Sequence, residues 1–106
     1  MTVTEAANTY DVGDSIRPTF TFDKLISAVW VPTDPTTITV KYKNPAGTIA
    51  TLVYGTDIQV VRSSAGVYYF DLTFTTHGQW WYRAVGTGAV ETSIERYVNV
   101  RDSQFD

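Results

Sequence analysis

One histidine, eleven carboxylates and scattered serines, with no cysteine, are the groups this 106-residue chain has for chemistry. The histidine, His77, precedes Gly78 in a turn between two expected strands. A hydrolytic triad needs a base held between a nucleophile and an acid, and no serine here sits in a recognisable nucleophile elbow. His77 therefore reads as a turn residue. As a metal ligand it would need carboxylates brought from elsewhere, and no spacing announces them. The lack of cysteine excludes disulfides and thiolate chemistry. Asp11, Asp14, Asp34 and Asp57 all lie in expected turns. Loop carboxylates of this kind can hold calcium together with backbone carbonyls. They also stabilise turns by bonding their own backbone, and the D-x-[DN]-x-[DN]-G spacing is absent. A paired-acid glycosidase site requires a cleft, of which the sequence shows no sign. Gly86-Thr87-Gly88 lacks the lysine and following helix of a phosphate loop. The expectation is a protein without catalytic residues, bound metal or cofactor, and thus not an enzyme.

What remains is binding. The chain carries 3 Trp, 7 Tyr and 5 Phe, enough large apolar surface for a real core. Tyr68 and Tyr69, then Trp80, Trp81 and Tyr82, put rings on both faces of two strands read as neighbours. One face must be core. The other would gather Tyr69, Trp81 and Tyr97, interleaved with Asp71, Arg83 and Glu95. Outward aromatics of this kind stack on sugars or anchor protein interfaces. They also occur simply packed under a long loop or an N-terminal arm, and both readings stand.

The charge balance narrows the partner. Eight basic and eleven acidic residues give a net charge of −3. The basic residues are spread along the chain, whereas nucleic-acid binders gather them on one stripe. Only Lys41 and Lys43 form a local cluster, and they read as the solvent face of a strand. No nucleic acid is expected. No apolar run approaches the ~20 residues needed to span a bilayer, so no membrane partner is expected either. Met1-Thr2-Val3-Thr4-Glu5 lacks the basic region and apolar stretch of a signal peptide. Either the protein stays in the cell that makes it until lysis or assembly, or the chain has been trimmed.

The elements that must position these residues are strands. The apolar period is two throughout, and no amphipathic helix of useful length is present. Strands are expected over 15–22, with Pro18 forcing an edge or bulge, over 36–43, 48–54, 58–62, 67–74 and 79–86, and over 91–100. Turns are expected at Tyr10–Asp14, at Asn44–Gly47, at 55–57 and at Gly86–Ala89. The connection 75–78 is short enough to make the strand after it antiparallel to the strand before it. Leu25 to Val31 is a short apolar stretch closed by Pro32-Thr33-Asp34-Pro35. Arg96 interrupts the inward face of the last strand, which implies an edge position, a bulge, or a stem lying over the core. Residues 1–9 form an N-terminal arm, in which Val3 either anchors a short strand or lies in an unpaired tail, and 102–106 form a tail carrying Phe105. About seven short strands at 8–12-residue spacing define an all-β, immunoglobulin-like, two-sheet antiparallel sandwich in a single domain spanning 1–106.

Several of these segments form a pattern: Tyr10-Asp11-Val12-Gly13-Asp14, Phe20-Thr21-Phe22, Asp34-Pro35, Lys43-Asn44-Pro45-Ala46-Gly47, Gly66-Val67-Tyr68 and Gly78-Gln79-Trp80-Trp81-Tyr82-Arg83. It resembles the short immunoglobulin-like proteins encoded among the head and neck genes of tailed bacteriophages and prophages. The likeness covers roughly residues 10–100. It implies a non-catalytic virion protein, made in the host cytoplasm, acting by protein–protein contact as a capsid decoration or head–tail neck component. The implied partners are phage capsid or neck proteins, with a homo-oligomer on the particle as a further expectation. Tyr-x-x-Gly-Asp and Gly-x-Tyr also occur in bacterial surface domains, so an adhesion module binding glycan or host protein is the alternative. The chain departs from the pattern at Asn44–Gly47, where Pro-Asp-Gly is commoner, and at 23–30, where an Asp-Gly turn gives way to an apolar segment. That second departure makes Leu25, Ile26 and Trp30 candidate contact residues beside Tyr69, Trp81, Arg83 and Tyr97. No functional residue carries over from the resemblance itself.

Overall fold

The computed structural model describes residues 9–102, and it is all-β. The expected strand at Val3 and the tail with Phe105 lie outside the described residues. The first layer is a five-stranded sheet in the order β1 (Thr9–Asp11), β12 (Thr92–Arg101), β11 (Gly78–Thr87), β6 (Thr37–Lys43), β7 (Ile49–Val53). The alternation that marks 37–43 and 79–86 holds. Ile38, Val40, Trp80, Tyr82 and Ala84 are buried, while Lys41, Trp81 and Arg83 face outward. The turn at Asn44–Gly47 joins β6 to β7, with Gly47 at φ 92°.

The second layer contains β2 (Ser15–Ile16), β3 (Thr19–Thr21), β8 (Val61–Ser64), β9 (Val67–Tyr69) and β10 (Leu72–Thr73). β2 pairs with β10 and β3 with β9, in one unbroken register. Arg17 thus stands opposite Asp71, and Pro18 opposite Phe70. Pro18 has no N–H to donate and interrupts the ladder, but its carbonyl still accepts from Phe70 N–H at 3.3 Å. The expected strands 15–22 and 67–74 are therefore each real, divided where proline removes a donor. Arg17 and Asp71 bridge that gap on the outer face with two hydrogen bonds of 2.7 and 3.1 Å.

The layers face each other through aromatic rings. Phe70 lies against Phe20, Tyr42 and Tyr82, with ring centroids 6.1–6.2 Å apart. Phe74 meets Trp80 edge-on at 5.5 Å. These offset and edge-on arrangements suit the ring quadrupole. The Trp80 indole N–H donates to the Thr76 carbonyl at 2.9 Å, so its one polar atom is satisfied.

Four expectations need correction. The connection 75–78 carries the chain from one layer to the other. β10 therefore pairs with β2 and not with β11, because Phe74 and Trp80 both turn inward from opposite layers. The strand expected from Ile58 starts only at Val61. Asp57 folds residues 53–57 into a turn instead, its carboxylate accepting from Val53 N–H at 2.8 Å, and Ile58 is left 91% exposed. Tyr10 and Asp11, expected in a turn, form β1 before a turn in which Asp14 N–H donates to the Asp11 carbonyl. β1 runs parallel to β12, so the chain is not wholly antiparallel. The segment 23–32, read from the sequence only as a short apolar stretch, is a β-hairpin. Arg96 stands opposite Tyr82 in a β11–β12 register without a bulge, so of the three readings of its position the bulge is removed.

That hairpin comprises β4 (Asp23–Ile26) and β5 (Val29–Pro32). Ser27 and Ala28 form its two-residue loop, both left-handed with φ 50° and 64°. Positive φ at both loop positions is the twist that antiparallel strands favour, but Asn-Gly or Asp-Gly normally supplies it. Ala28 bears a steric cost there of roughly 1–2 kcal/mol. Replacing Ser27-Ala28 by Asn-Gly should therefore slow amide exchange across β4 and β5 by about tenfold, as hydrogen exchange would show, without moving the global unfolding midpoint.

Candidate functional site

β4 continues the direction of β3 beyond the last residue that the core covers. Phe22, fully buried, is the fork. Its N–H donates to the Gly66 carbonyl at 2.7 Å, and its carbonyl accepts from Thr33 N–H at 2.9 Å. Past this point the strand pairs only with β5. The long axis of the molecule is 54 Å against 27 and 20 Å for the others. The hairpin packs chiefly on itself.

Its side chains are apolar on both faces. Leu25 stands opposite Trp30, and Ile26 opposite Val29. Residues on opposite strands of a pair share a face, and successive residues alternate. One face therefore carries Leu25 and Trp30, with Asp23 and Pro32 at its root, and the other carries Ile26, Val29 and Val31, with Lys24 opposite Val31 at its root. Trp30 is 66% exposed and Leu25 54%. Nothing in the described chain covers either face. An isolated two-stranded ribbon is marginal in water, and apolar groups clustered in this way mark surfaces that take a partner.

The root of the hairpin is tightly built. Gly66 has φ 73°, and a β-carbon there would come within 2.6 Å of the Phe22 carbonyl oxygen and 2.7 Å of Thr33 N. Asp34, just past the hairpin, clamps the same place. Its carboxylate accepts from Arg62 through two guanidinium bonds of 3.1 Å, from Gly66 N–H at 2.8 Å and from Tyr68 O–H at 2.7 Å. The Arg62 fork first, then Gly66 and Tyr68, hold the Asp34 carboxyl well below the usual carboxylate range. Burial, then the Asp34 charge, push the Tyr68 phenol up to about 12.

Both shifts make stability depend on pH. A depressed carboxyl contributes stability that is present above its ordinary value of 3.8 and lost as the pH falls through the folded value. A raised phenol contributes stability that is complete below 10.0 and lost as the pH rises towards about 12. Asp34→Asn should therefore lower the urea midpoint at pH 7 and flatten its decline below pH 4. The acid dependence left would come from Asp71, which Arg17 also holds below the ordinary value.

The candidate contact residues fall in three places. Leu25, Ile26 and Trp30 share the hairpin, and Val29 and Val31, not singled out in the sequence, join them. Trp81 and Tyr97 stand opposite each other on the outer face of the five-stranded sheet, with ring centroids 5.1 Å apart, and Arg83 lies beside them. Tyr69, expected on that same face, is instead on the outer face of the other layer. There the Arg17 guanidinium lies 4.3 Å from its ring centroid. The reason is the crossing at 75–78, which separates β9 from β11. The turn aspartates have partners of their own: Asp14 accepts from Asp11 N–H at 2.9 Å, and Asp11 pairs with Arg101 at 2.9 Å. Among the described residues, no three histidine, aspartate or glutamate side chains gather as metal ligands. His77 lies in the bend before β11, beside Pro45 and Thr76. No described helix is long and apolar enough to cross a membrane. Compared with models of known protein families and with curated proteins, the chain matches none.

Proposed function

We propose that the chain is an immunoglobulin-like structural protein of a tailed bacteriophage or prophage particle. In this reading it makes no covalent chemistry and docks by protein–protein contact, on the capsid or at the head–tail neck. The single observation that carries the docking role is the hairpin 23–32, apolar on both faces and built on a clamped root. A ribbon of this form suits a cleft between partner chains, where both faces lose water at once. The immunoglobulin-like part rests on strand order. One layer runs β1-β12-β11-β6-β7 and the other orders the strands 15–22, 67–74 and 61–64, with the chain crossing between layers as in that class. The phage setting rests on the sequence resemblance.

The test is an add-back. Particles from a phage whose copy of this gene is deleted are incubated with the purified chain, then sedimented and washed. The reading expects saturable retention on particles; a chain left wholly in the supernatant contradicts it. The second reading, a surface adhesion module, is favoured by one observation only, the outward Trp81–Tyr97 pair.

A further inference from the structure

We infer that the outer face of the five-stranded sheet is a separate binding site for a carboxylated glycan. The register sets four strands side by side there: Ile49 next to Lys43, then Trp81, then Tyr97, and in the neighbouring row Thr51 next to Lys41, then Arg83, then Glu95. Lys41 and Arg83 are thus directly opposed like charges, an arrangement that destabilises a strand pair. Lys43 follows two residues from Lys41 on the same face. None of the three cations has a carboxylate within ion-pair distance among the described residues, although Glu95 is the cross-strand neighbour of Arg83. By contrast Arg17, Arg62 and Arg101 each have an aspartate partner. Among the described residues, a chain of net charge −3 thus gathers on one face three cations without an ion-pair partner, with Glu95 as the one carboxylate beside them.

Beside them are flat rings. The Lys43 ammonium lies 6.0 Å from the Trp81 centroid, and Tyr97 extends the aromatic surface away from the cations. Lys41, Lys43, Trp81, Arg83 and Glu95 line a groove of about 360 Å³. The ligand this suits has anionic groups next to a broad, weakly polar ring face, as a uronate sugar does: ring on Trp81 and Tyr97, carboxylates on Lys41, Lys43 and Arg83. Two of the three cations are lysines, which protein interfaces deplete, so an acidic protein surface fits less well. A single-stranded nucleic acid needs a longer charged track with successive stacking platforms, and the face has one aromatic pair.

The full chain, labelled with ¹⁵N, is titrated with oligogalacturonate and with hyaluronan oligosaccharides and followed by its amide shifts. Saturable shifts confined to β6, β11 and β12 are expected, weakening as salt rises. Dextran oligosaccharides of equal length should bind at least tenfold more weakly. Trp81→Ala should lose roughly tenfold in affinity. Lys41→Glu/Arg83→Glu should lose binding altogether, with the unshifted remainder of its spectrum showing that it still folds. Absence of shifts with both uronate ligands, or equal binding of dextran, overturns the inference. So does tighter binding of a polyglutamate peptide or of oligothymidylate. The site is apart from the hairpin, so either outcome leaves the docking proposal standing.

Discussion

Gly66→Ala is expected to lower stability by about 2–6 kcal/mol, one of the largest single-residue effects available in this chain. Two costs combine. The backbone at φ 73° is one that a residue with a β-carbon adopts only at roughly 1–3 kcal/mol. The new methyl would also meet the Phe22 carbonyl oxygen and Thr33 N, which are themselves hydrogen-bonded to each other. Neither is the end of a flexible side chain, so relief requires moving β3 away from β9 or the hairpin away from both. Overpacking of this kind typically costs a further 1–3 kcal/mol. Urea unfolding of the variant beside the parent chain measures the effect. Hydrogen exchange adds the location: protection should fall first at Phe22 and Thr33. A loss under about 1 kcal/mol would show that the hairpin root is not the rigid joint described above.

Leu25→Ser/Trp30→Ser is expected to abolish docking on particles while leaving the fold intact. Both side chains are more than half exposed, and the two residues stand opposite each other across the hairpin. Surface changes of this kind usually shift stability by no more than about 0.5 kcal/mol. In a desolvated interface, truncating an aromatic anchor costs on the order of 2–4 kcal/mol, and Trp is the residue most often found in that role. The double variant should therefore unfold at the parent midpoint and yet be retained on deletion particles at least about thirtyfold less. Retention equal to the parent would remove the hairpin from the account. A large fall in midpoint would mean that these residues serve the fold.

Much of this architecture was legible from residue alternation. Tyr68, Phe70, Leu72 and Phe74 read as one inward face, as did Trp80, Tyr82 and Ala84, and all of them are buried. Alternation is a local property, and what it missed was non-local. Nothing near Thr75–Gly78 says whether the chain turns back within a sheet or crosses to the other layer, so alternation alone puts Tyr69 on one face with Trp81. Lys41 and Lys43 stood out as a pair, but their junction with Arg83 exists only once β6 is set beside β11. The hairpin was hidden for a different reason. Ser27-Ala28 lacks the glycine or asparagine that normally announces a two-residue loop, and both faces of the ribbon are apolar, so the segment shows no period of two. The absence of a core-facing pattern there was itself the signal of a segment that does not belong to the core.

The measurement that bears most directly on the proposed virion role is quantitative mass spectrometry of washed particles induced from the cells whose genome carries this gene, normalised to the major capsid protein. Docking on the virion predicts a fixed stoichiometry, high for a shell decoration and low for a ring at the neck. Absence of the chain from washed particles at any stoichiometry would contradict the virion role, and the glycan-binding face would then become the leading account of what the protein does.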